Sequence, residues 1–454
     1  MAVDIKNGQS INIRKGYNIG LIGEAKGTPK TAHANRFALS PYSFNGISPI
    51  PKVTVEIGQN VLAGDVLFFD KVRPEVQYVS PVSGEIIEIN RGAKRSISSV
   101  VILADKENKH KSFEVPSLDS DRTVLVDFMC ASGLWSHINQ RPFDQVPALN
   151  VVPENIFVST FDTAPLAPDN EVVIEGEEAS FKTGLDVLSR LTSGKVILGL
   201  NGKNKGTKFA SFNNVASNSF SGPHPSGNVG VQIHHVAPIS NGKSVWTLGV
   251  QDVITIGKMW MTGKYDASRV IAITGHVKNP GYMRTYLGAS VADLIQGQVS
   301  SDASYRLISG DVLSGKSVGS GDFLHFKDDQ ITVLKEGNQE EMFGWLLPMK
   351  ARPSISKTFL SAIFGKKEFD VTTNTHGEKR AFVETGKMES VLPMNIYPQH
   401  LMKAILAQDI EKMEGLGIYE LTEEDVALCE FVDSSKNPVQ KILREGLNYI
   451  KEQG

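Results

Sequence analysis

Three histidines fall within fifteen residues of this sequence: His224, His234 and His235, in the stretch Ser221-Gly222-Pro223-His224-Pro225-Ser226-Gly227-Asn228-Val229-Gly230-Val231-Gln232-Ile233-His234-His235. Clustered imidazoles suit late first-row metals. No cysteine or carboxylate stands among them at standard zinc spacing. Three glycines and two prolines in the same stretch favour a tight loop ahead of a strand, with histidines bonded to backbone. The two cysteines, Cys130 and Cys429, lie far apart. Two thiols cannot supply a four-cysteine iron–sulfur cluster or a disulfide framework, and they fit a reducing compartment. No Ser/His/Asp set, GxxxxGK loop or paired-carboxylate site stands out by spacing, so no catalytic residue is assigned.

The chain that must position these residues has 454 of them, enough for about three domains. It is 41% hydrophobic and 21% charged, a globular composition. A net charge of -3 lacks the basic excess of a nucleic-acid-binding surface. No run approaches the roughly 18 apolar residues that span a bilayer. The start, MAVDIKNGQSINIRKG, has no apolar core of a secretory signal. Work at a membrane would therefore require docking onto integral partners.

Val53 to Leu103 is punctuated by Gly58, Gly64-Asp65 and Val82-Ser83-Gly84. Short apolar strands between them, Val53-Val55, Val66-Phe69, Gln77-Val79 and Ile86-Ile89, predict a small β-sandwich or barrel. From about residue 104 to 260 the texture is α/β. Val124 to Met129 reads as a short helix, Ile156 to Thr160 as a buried strand, and Phe181, Leu185, Leu188 and Leu191 as a helix face stopped near Gly194. Lys195 to Gly199 is the next strand. Helix alternating with β-branched strand predicts a Rossmann-like layer. Arg269 to Gly275, a Pro280-Gly281 turn, Tyr282 to Tyr286 and a helix capped by Ser290 follow. Phe343 begins a less regular connector, in which Ser354 to Phe364 is apolar enough for a contact surface. The chain ends in helices: Leu401, Met402, Ile405 and Leu406 share one face, and Thr422 with Asp425 forms a capping pair. A final helix starts at Asn437-Pro438.

The Val53–Leu103 pattern resembles the biotinyl/lipoyl-type barrel-sandwich fold. Carrier domains of that fold present a modified lysine on a central hairpin, where Asp70-Lys71-Val72 falls here; an ordinary solvated lysine is the plainer reading of Lys71. Ile89-Asn90-Arg91-Gly92-Ala93-Lys94-Arg95 with Ser99-Val100-Val101-Ile102 resembles the A subunit of the Na+-translocating NADH:quinone reductase. Ile13-Arg14-Lys15-Gly16-Tyr17, the histidine stretch, Val245-Trp246-Thr247, Gln251 to Lys258 and Leu307 to Gly315 continue the resemblance in the family's order.

That resemblance implies a multidomain α/β chain. Residues 1–28 form a docking arm and 29–103 a barrel-sandwich (lipoyl-like) domain; 104–262 form a Rossmann-like α/β domain and 263–335 a β-grasp domain. Residues 336–385 are a connector and 386–454 a helical domain. It implies a peripheral subunit on the cytoplasmic face of the bacterial inner membrane, in a complex that moves electrons from NADH to ubiquinone and exports Na+. The partners are the B to F subunits, which would carry the flavins and 2Fe-2S cluster. Arg14, Lys15 and Tyr17 are the docking candidates. Phe128, Trp135, His224 and His234 are candidates for lining a quinone cleft, with ubiquinone as a substrate and no tightly bound cofactor on this chain. A structural scaffold without a ligand is the alternative.

The chain also resembles, more distantly, the flavin subunit of respiratory complex I and the C subunit of the Rnf complex. Their glycine-rich phosphate turn corresponds here to Ala131-Ser132-Gly133-Leu134-Trp135-Ser136-His137, with one glycine and a bulky Trp135. Their acidic segment has become Phe161-Asp162-Thr163-Ala164-Pro165, and their cysteine motifs are missing. These departures imply that this chain has lost FMN and cluster binding.

Overall fold

In the computed structural model, residues 7–48, 50–239, 242–300, 303–338, 352–355 and 368–453 are described. Most of the connector's apolar stretch, from residue 356 to 364, lies outside them, as does the start of the connector at 343–348.

The turn-punctuated N-terminal third forms the expected barrel-sandwich. Arg36–Leu39, Ile97–Ala104, Gly84–Arg91 and Asn60–Val61 make a four-stranded antiparallel sheet. Lys52–Val53, Val66–Phe69 and Gln77–Val79 make a three-stranded one. Leu67, Phe68, Ile86, Val100 and Ile102 are buried in the core between them. Lys71 is exposed in the loop of the Val66–Phe69/Gln77–Val79 hairpin. Buried Asp70 accepts from Arg73 Nε at 3.1 Å, and Arg73 Nη1 donates to Val146 O at 2.9 Å, tying the loop to the next domain.

The third sheet contains β1 (Ser10–Asn12), β2 (Asn139–Arg141), β3 (Ile156–Ser159), β4 (Val196–Asn201), β5 (Ala216–Ser221) and β6 (Val245–Leu248). Their order is β1-β5-β4-β3-β6-β2, parallel except for β2. Helices α1 (Arg122–Ala131), α2 (Glu178–Ser189), α3 (Val229–Val236) and α4 (Val250–Thr262) belong to this layer. The strand expected after the glycine-rich histidine loop is instead helix α3. Its consecutive buried residues Gly230, Val231, Gln232 and Ile233 fit either period. Topology decides: β5 and β6 are parallel strands of one sheet, so the chain between them must cross over.

The fourth sheet runs Lys316–Val318, Tyr305–Ser309, Gln330–Lys335, Ser268–Gly275, Gly281–Tyr286 and Lys26–Thr31. The N-terminal segment thus gives one edge strand to each of two sheets. Between them Ile13, Ile19 and Leu21 are buried, Tyr17 stacks on Phe431 at 6.4 Å, and Arg14 and Lys15 face outward.

The C-terminal helices include Pro398–Leu406, α5 (Glu423–Val432) and α6 (Val439–Gln453). Leu401, Met402, Ile405, Val426, Leu443 and Leu447 form their core. Leu406 does not share the Leu401 face; it is 58% exposed. Five residues on, it stands about 140° round the helix from Leu401.

Candidate functional site

A cleft of about 460 Å³ opens at the carboxyl ends of β3 and β6. From β3 the sheet continues to β4 on one side and to β6 on the other, so the crevice sits where the strand order reverses. In open α/β sheets this is where ligands bind. Ser159 and Asp162 lie at the end of β3, and Thr247 and Gly249 at the end of β6. Asn228 precedes α3 and Gly249 precedes α4, so two helix N-termini border the space. Phe44 comes from the barrel, Asp311 and Lys327 from the fourth sheet's loops, and Thr422 to Glu424 from the start of α5.

Its most connected residue is Asp252, in the first turn of α4. The carboxylate meets Arg269 Nη2 at 2.5 Å, His137 Nδ1 at 2.7 Å and Lys327 Nζ at 3.3 Å. Burial opposes its charge, but Lys327, Arg269 and His137 win and hold it well below the usual carboxylate range. His137 is fully buried, and desolvation pushes it down to about 4 despite Asp252. At neutral pH it is the uncharged imidazole. Nδ1–H then donates to Asp252, and Nε2 accepts from Tyr265 Oη at 3.0 Å.

A second group centres on His224. Its Nδ1 lies 3.1 Å from Thr163 Oγ1, and Thr163 Oγ1 also accepts from Gly227 N at 3.0 Å. Burial lowers the His224 pKa and raises that of neighbouring Asp162. Asp162 Oδ1 accepts from Ala164 N at 2.8 Å.

Only His224 among the four quinone-lining candidates faces the cleft. Phe128 packs edge-on to Phe113 and Trp260 at 6.3 and 5.2 Å. Trp135 is fully buried, edge-on to Trp246 at 5.1 Å, with Nε1 donating to Pro147 O at 3.0 Å. His234 Nδ1 meets Glu420 at 2.7 Å, and its Nε2 accepts from Asn395 N. His235 Nε2 meets Pro393 O at 2.9 Å. No group of three or more metal-binding side chains occurs among the described residues.

The turn around Gly133 is filled from within. Gly133 has φ +80°, and a Cβ there would stand 2.5 Å from Val79 Cγ2 of the barrel. Leu134, Trp135, Ser136 and His137 are all buried. The turn packs on its own chain.

Sequence reasoning missed His137, Arg269 and Lys327. The signal for Asp252 was present, as an acid three residues after a glycine that closes a strand and opens a helix. Nothing local marked its partners. The cleft can hold a polar ligand, and among the described residues its one hydroxyl–imidazole contact is that of Thr163 with His224.

Three family patterns match the chain: the NqrA N-terminal barrel-sandwich hybrid domain over residues 11–105, the NqrA second alpha/beta domain over 120–265, and the NQRA C-terminal domain over 270–320. A protein of Saccharophagus degradans, named as the A subunit of Na(+)-translocating NADH-quinone reductase, is 40% identical over 451 residues, covering 98% of this chain and 100% of its own. This chain belongs to the NqrA family. Proteins of the same name from Marinomonas and Pasteurella multocida are each 39% identical, covering 97% and 98% of this chain and 99% and 100% of their own. Within the NqrA family pattern, the second-domain match spans α1, the Gly133 turn, α3 and Asp252. Arg269 and Lys327 fall outside all three matched ranges.

Proposed function

We propose that this NqrA chain is a peripheral subunit of the Na+-translocating NADH:quinone reductase, held on the cytoplasmic face of the bacterial inner membrane and associated with the quinone-reducing half. The observation that carries this is the near-complete, two-sided coverage at about 40% identity to proteins bearing the subunit's name. No helix among the described residues is long and apolar enough to cross a membrane. Electron carriers and the Na+ path then belong to the B to F subunits, with flavins and a 2Fe-2S cluster on those partners and none held here. In fold terms, the parallel sheet with its helices is Rossmann-like, and the strand–turn–strand–capped helix from Ser268 to Leu294 is β-grasp-like.

A second reading, a scaffold without a ligand, is favoured by the packed Gly133 turn and by a cleft whose walls are mostly polar. A quinone cleft would be apolar with few polar contacts. His224 is the residue through which the two readings part. Quinone kinetics altered in His224→Gln, with assembly intact, support quinone contact; unchanged kinetics support the scaffold.

The test of the assignment is a tagged pull-down from native membranes in mild detergent. Co-purification of several integral subunits with Na+-stimulated NADH:quinone reductase activity is the expected result. Recovery of the chain alone from the soluble fraction overturns it.

A further inference from the structure

A second cleft, open and of about 570 Å³, lies in the C-terminal helical region beside the helix Pro398–Leu406. Lys379, Arg380, Phe382, Lys403, Leu406 and Asn437 line it. Three cations face this space and no carboxylate lines it. All three are exposed, and none is in an ion pair among the described residues. The acids close by in sequence are placed elsewhere. Glu384 pairs with Lys387 at 2.8 Å and accepts from Ser434 Oγ at 2.6 Å, and exposed Glu378 is not part of the lining.

The helix itself continues the pattern. Pro398–Leu406 contains no acidic residue. Leu401, Met402 and Ile405 fill its buried face, while His400, Lys403 and Leu406 recur three residues apart on the outer one. Tyr397, at the N-cap, joins that face, with its ring centroid 6.2 Å from that of His400. Tyr397 and Leu406 are 61% and 58% exposed, the only large hydrophobic side chains so exposed among the described residues of 386–454. Val383, 77% exposed, follows Phe382. Exposed apolar side chains interleaved with unpaired cations suit the boundary of an anionic bilayer, where Lys and Arg meet phosphates and apolar tips enter beneath them. An acidic protein segment would meet the cations alone.

We propose that this face, Lys379, Arg380 and Lys403 with Tyr397 and Leu406, rests on the phosphodiester headgroups of an anionic membrane surface. The whole chain carries a net charge of -3, so such binding requires a local patch of this kind. The proposal deepens the reading of the chain as a peripheral subunit at a membrane, and it rests on that reading.

Co-sedimentation of the purified full chain with vesicles tests it without the other subunits, so failure here leaves the outcome of the pull-down standing. Vesicles of phosphatidylcholine alone are compared with vesicles in which about a third of the lipid is phosphatidylglycerol. Each Lys or Arg near such a surface contributes roughly fivefold, so a preference of about a hundredfold for the anionic vesicles is expected, weakening as salt is added. Lys379→Ala, Arg380→Ala and Lys403→Ala combined should bind both vesicles alike. Leu406→Ser should also weaken binding, which a purely ionic contact would not show. Arg91→Ala, Lys94→Ala and Arg95→Ala combined remove the same charge from an exposed turn of the barrel, and should leave the affinity within about twofold of wild type. The substituted side chains in all three variants are exposed, so folding is retained. Equal binding of the wild type to the two vesicles, or none to either, overturns the proposal. So does a loss in the barrel variant as large as that in the variant at Lys379, Arg380 and Lys403.

Discussion

Arg141 Nη1 donates to Asp425 Oδ2 at 2.8 Å across 284 residues of chain, and both side chains are buried. Arg141 Nη2 also donates to Thr422 Oγ1 at 3.0 Å and to Glu424 at 2.6 Å. One guanidinium at the end of β2 therefore holds the N-terminus of α5, and with it the helical domain, against the α/β sheet. The carboxylates around it keep Arg141 charged against the cost of burial.

Removing one partner leaves the other buried and uncompensated. Arg141→Met and Asp425→Asn should each cost about 3–5 kcal/mol. Denaturant unfolding measures this, and the double variant should cost less than the sum of the singles because the two residues share one interaction.

Gly230, in the first turn of α3, faces this pair. A Cβ there would lie well inside the 3.0 Å that real Cβ atoms keep from neighbours, against Asp425 Oδ1 and Arg141 Nη1. Helix propensity alone would make Gly230→Ala stabilising by up to about 1 kcal/mol. The contact is with a buried, mutually bonded ion pair, so a net loss of about 1–3 kcal/mol is expected in the same unfolding experiment. A gain would show that α3 can shift away from α5.

Trp135 acts in packing. Trp135→Ala should cost about 3–5 kcal/mol through the cavity it leaves. Trp135→Phe keeps most of the contact with Trp246 but leaves Pro147 O without its donor, for about 1–3 kcal/mol. Quinone kinetics altered in Trp135→Phe without loss of stability would contradict this placement.

The Asp252 cluster and its neighbour Asp329 set opposing pH terms. His137 falls from 6.5 in the unfolded chain to about 4, so the folded state binds fewer protons there and stability falls as pH drops through that window. Burial pushes Asp329 up from 3.8 to about 6, so the folded state binds more protons and stability falls as pH rises through its window. Between about pH 4.5 and 7, the rise in unfolding free energy should therefore be flatter in His137→Gln than in wild type, and steeper in Asp329→Asn. Urea melts at the two pH values read both slopes.

Features encoded within a few residues were legible. Thr422 and Asp425 read as a capping box, and Thr422 N does donate to Asp425 Oδ2 at 2.9 Å. Ser290 read as a cap and accepts from Asp293 N. The glycine-spaced strands of the barrel read as they fold, because turns and period-two burial are local properties. The site was less legible. His224 lines the cleft, whereas Phe128, Trp135 and His234 lie elsewhere. Aromatic and histidine side chains carry no local sign of which space they will face.

By itself the sequence determined the family, the run of β, α/β and helical segments, and the altered turn at Gly133-Leu134-Trp135. Each of these is written in contiguous residues whose local preferences agree. Only the tertiary structure decided that Val229–Val236 is a crossover helix, that the N-terminal segment supplies edge strands to two sheets, and that Arg141 binds Asp425. It alone gathered His137, Arg269 and Lys327 around the one carboxylate of Asp252. Those residues come from separate segments, and a buried charge finds its partners through packing, which no window of sequence contains.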